Sequence, residues 1–370
     1  MLRTFRYRLK PTRHQAKVLG EWLAVSCELY NAALEERRGA WKVAGKSIGL
    51  YDQFKSLTEI RAFSSDVASI PVDIAREPLR RVDRAFQAFF RRVKAGQKPG
   101  YPRFRSRDRY NSLAFTLAKA SEEAITVPKL GCVRFKAHRK LRGRVKSASL
   151  VRSPTGKTWS VSLVSDLGQA PEKQPVSSAV GIDVGLSIFA SLSDGQQIEN
   201  PRWLKQSEEE LAAKQRILAP KRKGSNNRRQ ARRNVARCYE KIRNRRNNFC
   251  HHVSKWLVAT YDLIAFEALS IQGMTKDGNF SKSIIDAAWG ILLRQISYKA
   301  EEAGRYAVAV DPRGTSQLCS GCGEAVPKSL WERTHRCPRC ELVLDRDHNA
   351  ARNILALGRS AAGLIEPRKG

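Results

Sequence analysis

Four cysteines near the C-terminus constrain the local fold more than any other feature. They form two CxxC pairs, Cys319–Cys322 and Cys337–Cys340, with 14 residues between the pairs. Each pair turns tightly enough to present two thiolates to one metal ion, and Gly321 and Pro338 suit such turns. Four thiolates complete a tetrahedron, which predicts a structural Zn²⁺ site without a water position. His335 lies near the second pair and is not expected to be a ligand.

Three acidic residues stand in unusual surroundings. Asp183 interrupts one apolar strand, Glu267 lies near the end of another, and Asp347 opens the last helix. A carboxylate in a buried strand is costly unless it is paired or binds a metal ion. Three carboxylates can converge on divalent cations, and oxygen ligands suit Mg²⁺ or Mn²⁺. Two such ions about 4 Å apart can activate water and stabilise the leaving oxygen in phosphodiester cleavage.

Each of these acids also has a purely structural interpretation. Asp183 suits a turn with Gly185, Glu267 suits a salt bridge to a basic helix, and Asp347 suits a helix N-cap. Asp345, two residues before Asp347, competes with it for the third ligand position. The residues alone leave these alternatives open.

The charge of the chain restricts its partners. Lysine plus arginine number 68 against 35 acidic residues, which gives a net charge of +33. Such a field attracts polyanions, above all nucleic acid. With 42% hydrophobic residues the chain builds real cores, which excludes a wholly disordered basic tail. No stretch approaches the roughly 18 apolar residues of a membrane span, and the first residues lack a signal-peptide core, so we expect an intracellular protein.

The hydrophobic periodicity predicts helices and a β-rich module first, then alternating strands and helices. The expected helices are 12–45, which opens with a capping box at Thr12, 51–62, 72–94, a long basic stretch after Pro201, 283–303 and 347–358. The expected strands are 2–9, several short ones within 112–166, the run 178–192 with a hairpin turn at 193–195, 261–271 and 306–310. Within the basic stretch, residues 216–246 carry 13 cations and one acid.

Several motifs occur together and in order. They are LKPTRHQ, PGYPRFRSR, VPKLG at 127–131, GIDVGLSIFASLSDG, IAFEALSIQGM and SQLCSGCG…CPRC…DRDHNAARNI. Over nearly the whole chain this series resembles TnpB, a protein encoded by many bacterial insertion sequences and similar to the type V CRISPR effectors.

The resemblance implies a multi-domain α+β fold. Residues 1–11 and 96–175 would form a β-barrel wedge domain, and 12–95 a helical recognition insertion. Residues 176–314 and 342–362 would form an RNase H-like RuvC nuclease domain. The zinc ribbon would be 315–341, and 363–370 a loose tail.

The resemblance also implies an activity. The family cleaves double-stranded DNA beside a short flanking motif, guided by an RNA from its own mobile element. The family's catalytic acids correspond to Asp183, Glu267 and Asp347, which bind Mg²⁺ or Mn²⁺, and the zinc ligands to the four cysteines. We expect a 5′-phosphate product, with both strands cut in turn at one site. Arg313, near that site, is a candidate for steadying the scissile phosphate.

The basic residues are candidates for a channel that holds an RNA–DNA heteroduplex by its backbone and shape. By their position in the N-terminal lobe, Tyr51 and Arg76 are candidates for reading the flanking motif. The basic candidates are Arg103, Arg105, Arg107, Arg139, Lys140, Arg142, Arg144, Lys221, Arg222, Lys223, Arg228, Arg229, Arg232 and Arg233. Tyr101, Phe104 and Tyr110, interleaved among the first of them, could stack on unpaired bases or pack in a core.

Two other functions compete with the nuclease. An RNA-guided DNA-binding repressor would not need three converging acids, and a DNA transposase would join element ends. The expected partners are the guide RNA and double-stranded DNA, in the cytoplasm of a bacterium or archaeon, associated with the nucleoid and with no membrane.

Overall fold

The computed structural model describes residues 1–116, 118–270, 286–329 and 331–364. The chain divides into two compact units, Met1–Gln169 (unit 1) and Ala170–Gly370 (unit 2). The predictions for 271–274, 283–285 and 365–370 lie outside the described residues. No helix in the described ranges is both long enough and apolar enough to cross a membrane.

Unit 1 combines four helices with one antiparallel sheet in the described residues. Its elements are β1 Leu2–Lys10, α1 Arg13–Ala44, α2 Leu50–Phe63, α3 Ser65–Ser69, α4 Val72–Lys94, β2 Ser112–Thr116, β3 Lys119–Ala120, β4 Ala124–Val127, β5 Gly131–Lys136, β6 Arg144–Arg152 and β7 Trp159–Asp166. The strand order is β2-β6-β7-β1-β5-β4-β3, so the first strand lies in the middle of the sheet and all four helices precede the second strand. The closed barrel remains a proposal.

The first helix shows how local sequence sets an element. The Thr12 hydroxyl accepts a hydrogen bond from the Gln15 amide, and the Gln15 side chain accepts one from the Thr12 amide. This capping box satisfies two backbone donors at the start of α1. Gly45, with φ 60°, ends the helix in the left-handed conformation. The predicted helix is therefore confirmed at both ends.

A buried ion pair holds the helices of unit 1 together. Arg37 of α1 donates to the Asp83 carboxylate of α4 at 3.1 Å and to the Gln53 side chain of α2 at 2.9 Å. The side chains of Arg37 and Asp83 are only 9% and 18% exposed. Three helices thus meet at one guanidinium.

Unit 2 contains a mixed sheet flanked by helices. Its elements are β8 Ala179–Val184, β9 Ile188–Leu192, β10 Gln197–Glu199, α5 Trp203–Gln206, α6 Glu208–Leu218, α7 Asn226–Thr260, β11 Leu263–Glu267, α8 Trp289–Glu302, β12 Tyr306–Val310, β13 Thr334–Arg336, β14 Val343–Asp345 and α9 Arg346–Ala361. The order is β10-β9-β8-β11-β12, with β8, β11 and β12 parallel and β9 antiparallel to both of its neighbours. A second, two-stranded sheet pairs β13 with β14.

The sheet of unit 2 is covered on both faces, which explains why β11 is an unbroken apolar run. Ile264 and Phe266 share a core with residues of α7 and α8. Leu263 and Ala265 point the other way and share a core with Ile354 of α9. Alternate residues of each strand therefore face α9.

Two predictions for unit 2 need correction. The run 178–192 is two antiparallel strands rather than one, because the chain reverses tightly at Gly185, where an added Cβ would lie 2.8 Å from the Ile188 carbonyl oxygen. The basic stretch after Pro201 is three helices: α5 ends at its C-cap Ser207, and Pro220 and Gly224, with φ 86°, lie between α6 and α7. The predicted hairpin turn at 193–195 is confirmed, since it joins β9 to β10.

Candidate active site

Two of the three singled-out carboxylates lie side by side at one edge of the parallel strands. Phe266 pairs with Ile182 in parallel register, so the next residues, Glu267 and Asp183, are neighbours at the carboxyl ends of β11 and β8. Both continue the set of alternate residues that faces α9.

Helix α9 carries the third carboxylate. A Cβ built on Gly185, just after β8, would lie 4.0 Å from an Asp347 carboxylate oxygen. Asp347 therefore lies beside the end of the strand that carries Asp183. Asp345 caps helix α9 instead. Its carboxylate accepts hydrogen bonds from the backbone amides of Asp347 and His348 at 2.9 and 3.1 Å.

Helix α9 comes this close to the sheet because a glycine stands at each of two contact points. A Cβ on Gly181 of β8 would lie 2.0 Å from the Ala351 carbonyl oxygen of α9. A Cβ on Gly358 of α9 would lie 2.3 Å from the Cβ of Ala265 in β11. These two contacts set the distance between the helix and the sheet, and so between Asp347 and the strand carboxylates.

Asp183 is desolvated and lies close to the negative charges of the other two carboxylates. Burial, then the charges of Glu267 and Asp347, raises the pKa of Asp183 well above its usual range. Burial also raises the pKa of Glu267, while the hydrogen bond from Thr315 lowers it. A cation placed among these oxygens would offset the cost of burying the ionised carboxylates and their repulsion of Asp183. The donor set therefore fits a hard divalent ion.

Neighbouring groups offset part of this charge. Asp347 accepts from Arg346 at 3.2 Å and lies 3.7 Å from Arg333. The Thr315 hydroxyl donates to Glu267 at 2.6 Å. In the described part of the chain, the donor atoms of the three carboxylates do not all lie within 4.8 Å of one another, whereas those of the four cysteines do. The carboxylates line a wider site than the thiols.

The four cysteines form a compact cluster beside this site. Cys319 and Cys340 place their sulfur atoms 3.6 Å apart, and Cys322 and Cys337 place theirs 3.5 Å apart. Tetrahedral Zn²⁺ with bonds of about 2.3 Å needs sulfurs about 3.8 Å apart, so the thiols fit this ion. A Cβ on Gly321 would lie 3.4 Å from the Cys340 sulfur.

His335 lies beside the cluster and is engaged by a different group. Its ring Nδ1 lies 2.6 Å from the Lys328 ammonium nitrogen, and the residue is fully buried. Burial, followed by the Lys328 charge, lowers the pKa of His335. The four cysteine sulfur atoms lie within 4.8 Å of one another, and His335 is not part of this group.

The basic candidates of unit 1 are exposed, and several have internal partners. Arg105 lies over the Tyr30 ring, 5.6 Å from its centre, and Arg107 pairs with Glu28. Arg139 lies over Phe5, 5.2 Å from its ring centre. The other exposed candidates are Arg103, Lys140, Arg142 and Arg144.

The aromatic candidates of the same segment separate into two groups. Tyr101 and Phe104 are 46% and 48% exposed, whereas Tyr110 is buried in the core of unit 1. Only the first two are open to a stacking partner.

The candidates in unit 2 flank the start of α7. Arg228 is half-buried and donates to the Leu218 carbonyl at 3.3 Å, so it closes the turn between α6 and α7. Arg229 donates to Asn226. Lys221 is half-buried, and the exposed members are Arg222, Lys223, Arg229, Arg232 and Arg233.

Three further candidates have definite surroundings. Tyr51 is 78% exposed and meets the Phe54 ring edge-on. Arg76 lies 5.2 Å from the same ring centre, so the structure brings these two candidates together. Arg313 is 89% exposed at its side chain and is bound to Asp311 rather than to the three carboxylates.

Thr315, Arg333 and Arg346 contact Glu267 or Asp347 and were missed by the sequence analysis. Asn349 and Asn353, also missed, hydrogen-bond to the backbone of residues 315–320. The available signal was that Arg346, Asn349 and Asn353 lie inside the DRDHNAARNI motif and that Thr315 directly precedes SQLCSGCG.

Sequence models of three families match the chain. The first, OrfB_IS605, is described as "Probable transposase" and matches residues 160–277. A Cas12f1-like TNB domain matches 289–354. A helix-turn-helix domain matches 1–46, where this structure has strand β1 and the single helix α1.

Two relatives match nearly end to end. A protein from Streptomyces pristinaespiralis is 34% identical over 97% of this chain and 90% of its own length. InsQ of Escherichia coli K12 is 28% identical over 97% of this chain and 93% of its own length. Both are named "Putative RNA-guided DNA endonuclease". The chain belongs to the TnpB family. Outside these TnpB relatives, the solved structure described as a Cas12f1-sgRNA-target DNA complex aligns over 96% of the chain, at 17% identity and TM-score 0.36, so the backbones superpose only loosely.

Proposed function

We propose that the chain is an RNA-guided DNA endonuclease whose active site consists of Asp183, Glu267 and Asp347. The observation that carries the proposal is the meeting of these three carboxylates at one edge of the sheet, in a member of the TnpB family. Burial of Asp183 and its repulsion by Glu267 and Asp347 favour a bound cation at this site, beside the ion pairs that Asp347 makes with Arg346 and Arg333.

The metal chemistry follows from the donor set. Mg²⁺ or Mn²⁺, when bound, would supply Lewis-acid assistance to phosphodiester hydrolysis. The carboxylates would bind it, and α9 would keep Asp347 in reach of the two strand carboxylates. Two ions, a 5′-phosphate product and sequential cutting of both strands at this one site belong to the proposal. Arg313, bound to Asp311, would have to leave that partner to reach a phosphate.

The remaining surfaces would serve recognition. The net charge of +33 supports a polyanionic partner, and a guide RNA paired to target DNA is the proposed one. Unit 1 is proposed as the wedge and recognition lobe, with Tyr51 and Arg76 at the flanking motif. Unit 2 is proposed as the RuvC-like nuclease, with Zn²⁺ held by Cys319, Cys322, Cys337 and Cys340.

A cleavage assay tests the function. The protein is co-expressed with the RNA encoded beside its gene, then mixed with Mg²⁺ and a plasmid library that carries a guide-matched target next to randomised bases. Cut molecules that share one short flanking motif are expected. Bound but uncut DNA would favour a repressor, and joined element ends would favour a transposase.

Matched variants locate the chemistry. Asp183→Asn, Glu267→Gln and Asp347→Asn should each abolish cutting while RNA binding persists, because each removes a proposed metal ligand. The control is Glu209→Gln, an exposed acid on α6, which should cut like the unmodified protein. Full cutting by Asp183→Asn would refute the site assignment.

A further inference from the structure

Thr315 is a buried polar residue that touches a proposed metal ligand. The residue is 1% exposed, and its hydroxyl donates to the Glu267 carboxylate at 2.6 Å. The Pro312 carbonyl lies 3.0 Å from the same hydroxyl. A hydroxyl has one proton, and a bond to a carboxylate is the stronger use of it. Thr315 therefore restricts where the Glu267 carboxylate can point.

Two asparagines hold the segment that contains Thr315. Asn349 and Asn353 are four residues apart on α9, so they share one face of the helix. The buried Asn349 amide accepts from the Ser320 amide at 2.9 Å and donates to the Leu318 carbonyl at 2.8 Å. Asn353 donates to the Leu318 carbonyl at 2.7 Å and to the Thr315 carbonyl at 2.8 Å. The helix thus holds residues 315–320 by their backbone at three points.

Helix α9 and segment 315–320 each carry a residue of a proposed metal site. Asp347 lies two residues before Asn349 on α9. Cys319 lies inside the 315–320 segment, and its amide donates to the Glu324 carbonyl at 2.8 Å. Segment 315–320, which is hydrogen-bonded to the helix of Asp347, therefore connects Cys319 of the cysteine cluster to Thr315, whose hydroxyl donates to the Glu267 carboxylate.

We propose that Thr315 is a positioning residue for Glu267, and that Asn349 and Asn353 hold it there by tying its segment to the helix of Asp347. This inference rests on the proposed function. Mg²⁺ requires nearly ideal octahedral geometry with bonds of about 2.0–2.1 Å, so a freely turning Glu267 would bind it more weakly. Outer partners of metal ligands typically contribute about 10- to 100-fold in affinity or activity.

Paired substitutions at Thr315 test the proposal. Thr315→Val keeps the shape and removes the hydroxyl, whereas Thr315→Ser keeps the hydroxyl. Thr260→Val is the matched control, because the hydroxyl of that exposed threonine of α7 bonds only to the Trp256 carbonyl among the bonds described. The readouts are the Mn²⁺ concentration that half-saturates cleavage, Mn²⁺ binding by electron paramagnetic resonance with Asp183→Asn as the blank, and zinc content.

The expected results separate positioning from folding. Thr315→Val should need about 10- to 100-fold more Mn²⁺, recover most of its rate at saturation, and retain one zinc per chain. In Thr315→Ser and Thr260→Val, the Mn²⁺ concentration that half-saturates cleavage should stay within about threefold of its value in the unmodified protein. Unchanged Mn²⁺ affinity in Thr315→Val, or equal damage in Thr315→Ser, overturns the proposal.

Two contingencies are covered. If the unmodified protein does not cut DNA, the proposed function fails, and Mn²⁺ binding still decides the positioning role by the same comparison. If Thr315→Val does not fold, Asn353→Ala replaces it, since it frees the Thr315 carbonyl at a half-buried position. For Asn353→Ala, a loss of Mn²⁺ affinity that is smaller than the loss expected for Thr315→Val supports the proposal. An Mn²⁺ affinity equal to that of the unmodified protein overturns it.

Discussion

Helix α9 touches strand β11 at a point that has no room for a methyl group. A Cβ on Gly358 would lie 2.3 Å from the Cβ of Ala265, where ordinary contact begins at 3.4 Å. Gly358→Ala must therefore move α9 away from the sheet by about 1.1 Å, or distort both elements locally. Since α9 carries Asp347, the same movement displaces a proposed metal ligand.

The contact between Gly358 and Ala265 allows the loss of stability and of cleavage in Gly358→Ala to be estimated. Overpacking costs about 1–3 kcal/mol, and the better helix propensity of alanine returns up to about 1 kcal/mol. From the middle of the overpacking range, about 2 kcal/mol, the net loss is about 1–2 kcal/mol, which lowers the melting temperature of a domain of this size by about 2–8 °C. Cleavage should fall further, by about 100-fold, because a misplacement of about 1 Å costs that much in an active site.

A size swap distinguishes this cause from a general loss of stability. Ala265→Gly removes the atom that collides, and the next atom, the Ala265 Cα, lies at 3.5 Å. The double variant Ala265→Gly with Gly358→Ala should recover most of the melting temperature and of the cleavage rate. Gly39→Ala, in helix α1 with open space around it, is the control for a harmless glycine replacement. Failure of the swap to recover either quantity would refute the reasoning.

Three further predictions concern stability. Hydrogen bonds from Ser177 and Ser178 hold the pKa of Asp262 well below its usual range, so its stabilisation is present above about pH 4 and is lost as the pH falls. Asp262→Asn should lower the melting temperature at pH 7, and the loss should shrink only as the pH falls from about 4 toward the low pKa of the folded protein, so that it is smaller at about pH 2 than at pH 7; an equal effect at both would contradict this. Cys337→Ser should release zinc and destabilise the cluster, because three thiolates no longer complete the tetrahedron; undiminished zinc by mass spectrometry would count against the site. Asp83→Ala leaves the buried Arg37 unpaired and should destabilise unit 1 by about 3–5 kcal/mol in urea unfolding, whereas a loss under 1 kcal/mol would show that Arg37 finds another partner.

Much of the local structure was predictable, because its causes lie within a few residues. Thr12 and Gln15 make the capping box of α1 as the sequence predicts, and Gly45 ends that helix. The apolar run 263–266 is a strand buried on both faces. The four cysteines form one cluster because each CxxC pair needs only a single tight turn.

Other features depended on contacts between distant residues. The choice between Asp345 and Asp347 was open on chemical grounds, since both acids lie at the same helix start. The structure separates them because Asp345 accepts two amides of the first turn, whereas the Asp347 carboxylate lies near Gly185. Arg228, predicted as a nucleic-acid contact, closes a turn instead of only facing solvent.

The sequence by itself determined most of the elements, the thiol cluster and the identities of three acids in costly positions. Only the tertiary structure decided that Gly181 and Gly358 let a helix rest on the sheet, and that Thr315 bonds to Glu267. Secondary structure and chelating turns follow from short-range sterics and hydrogen bonds, which a local pattern records. Contact between residues 48 or more positions apart depends on how close two packed surfaces can come, and no local pattern records that distance.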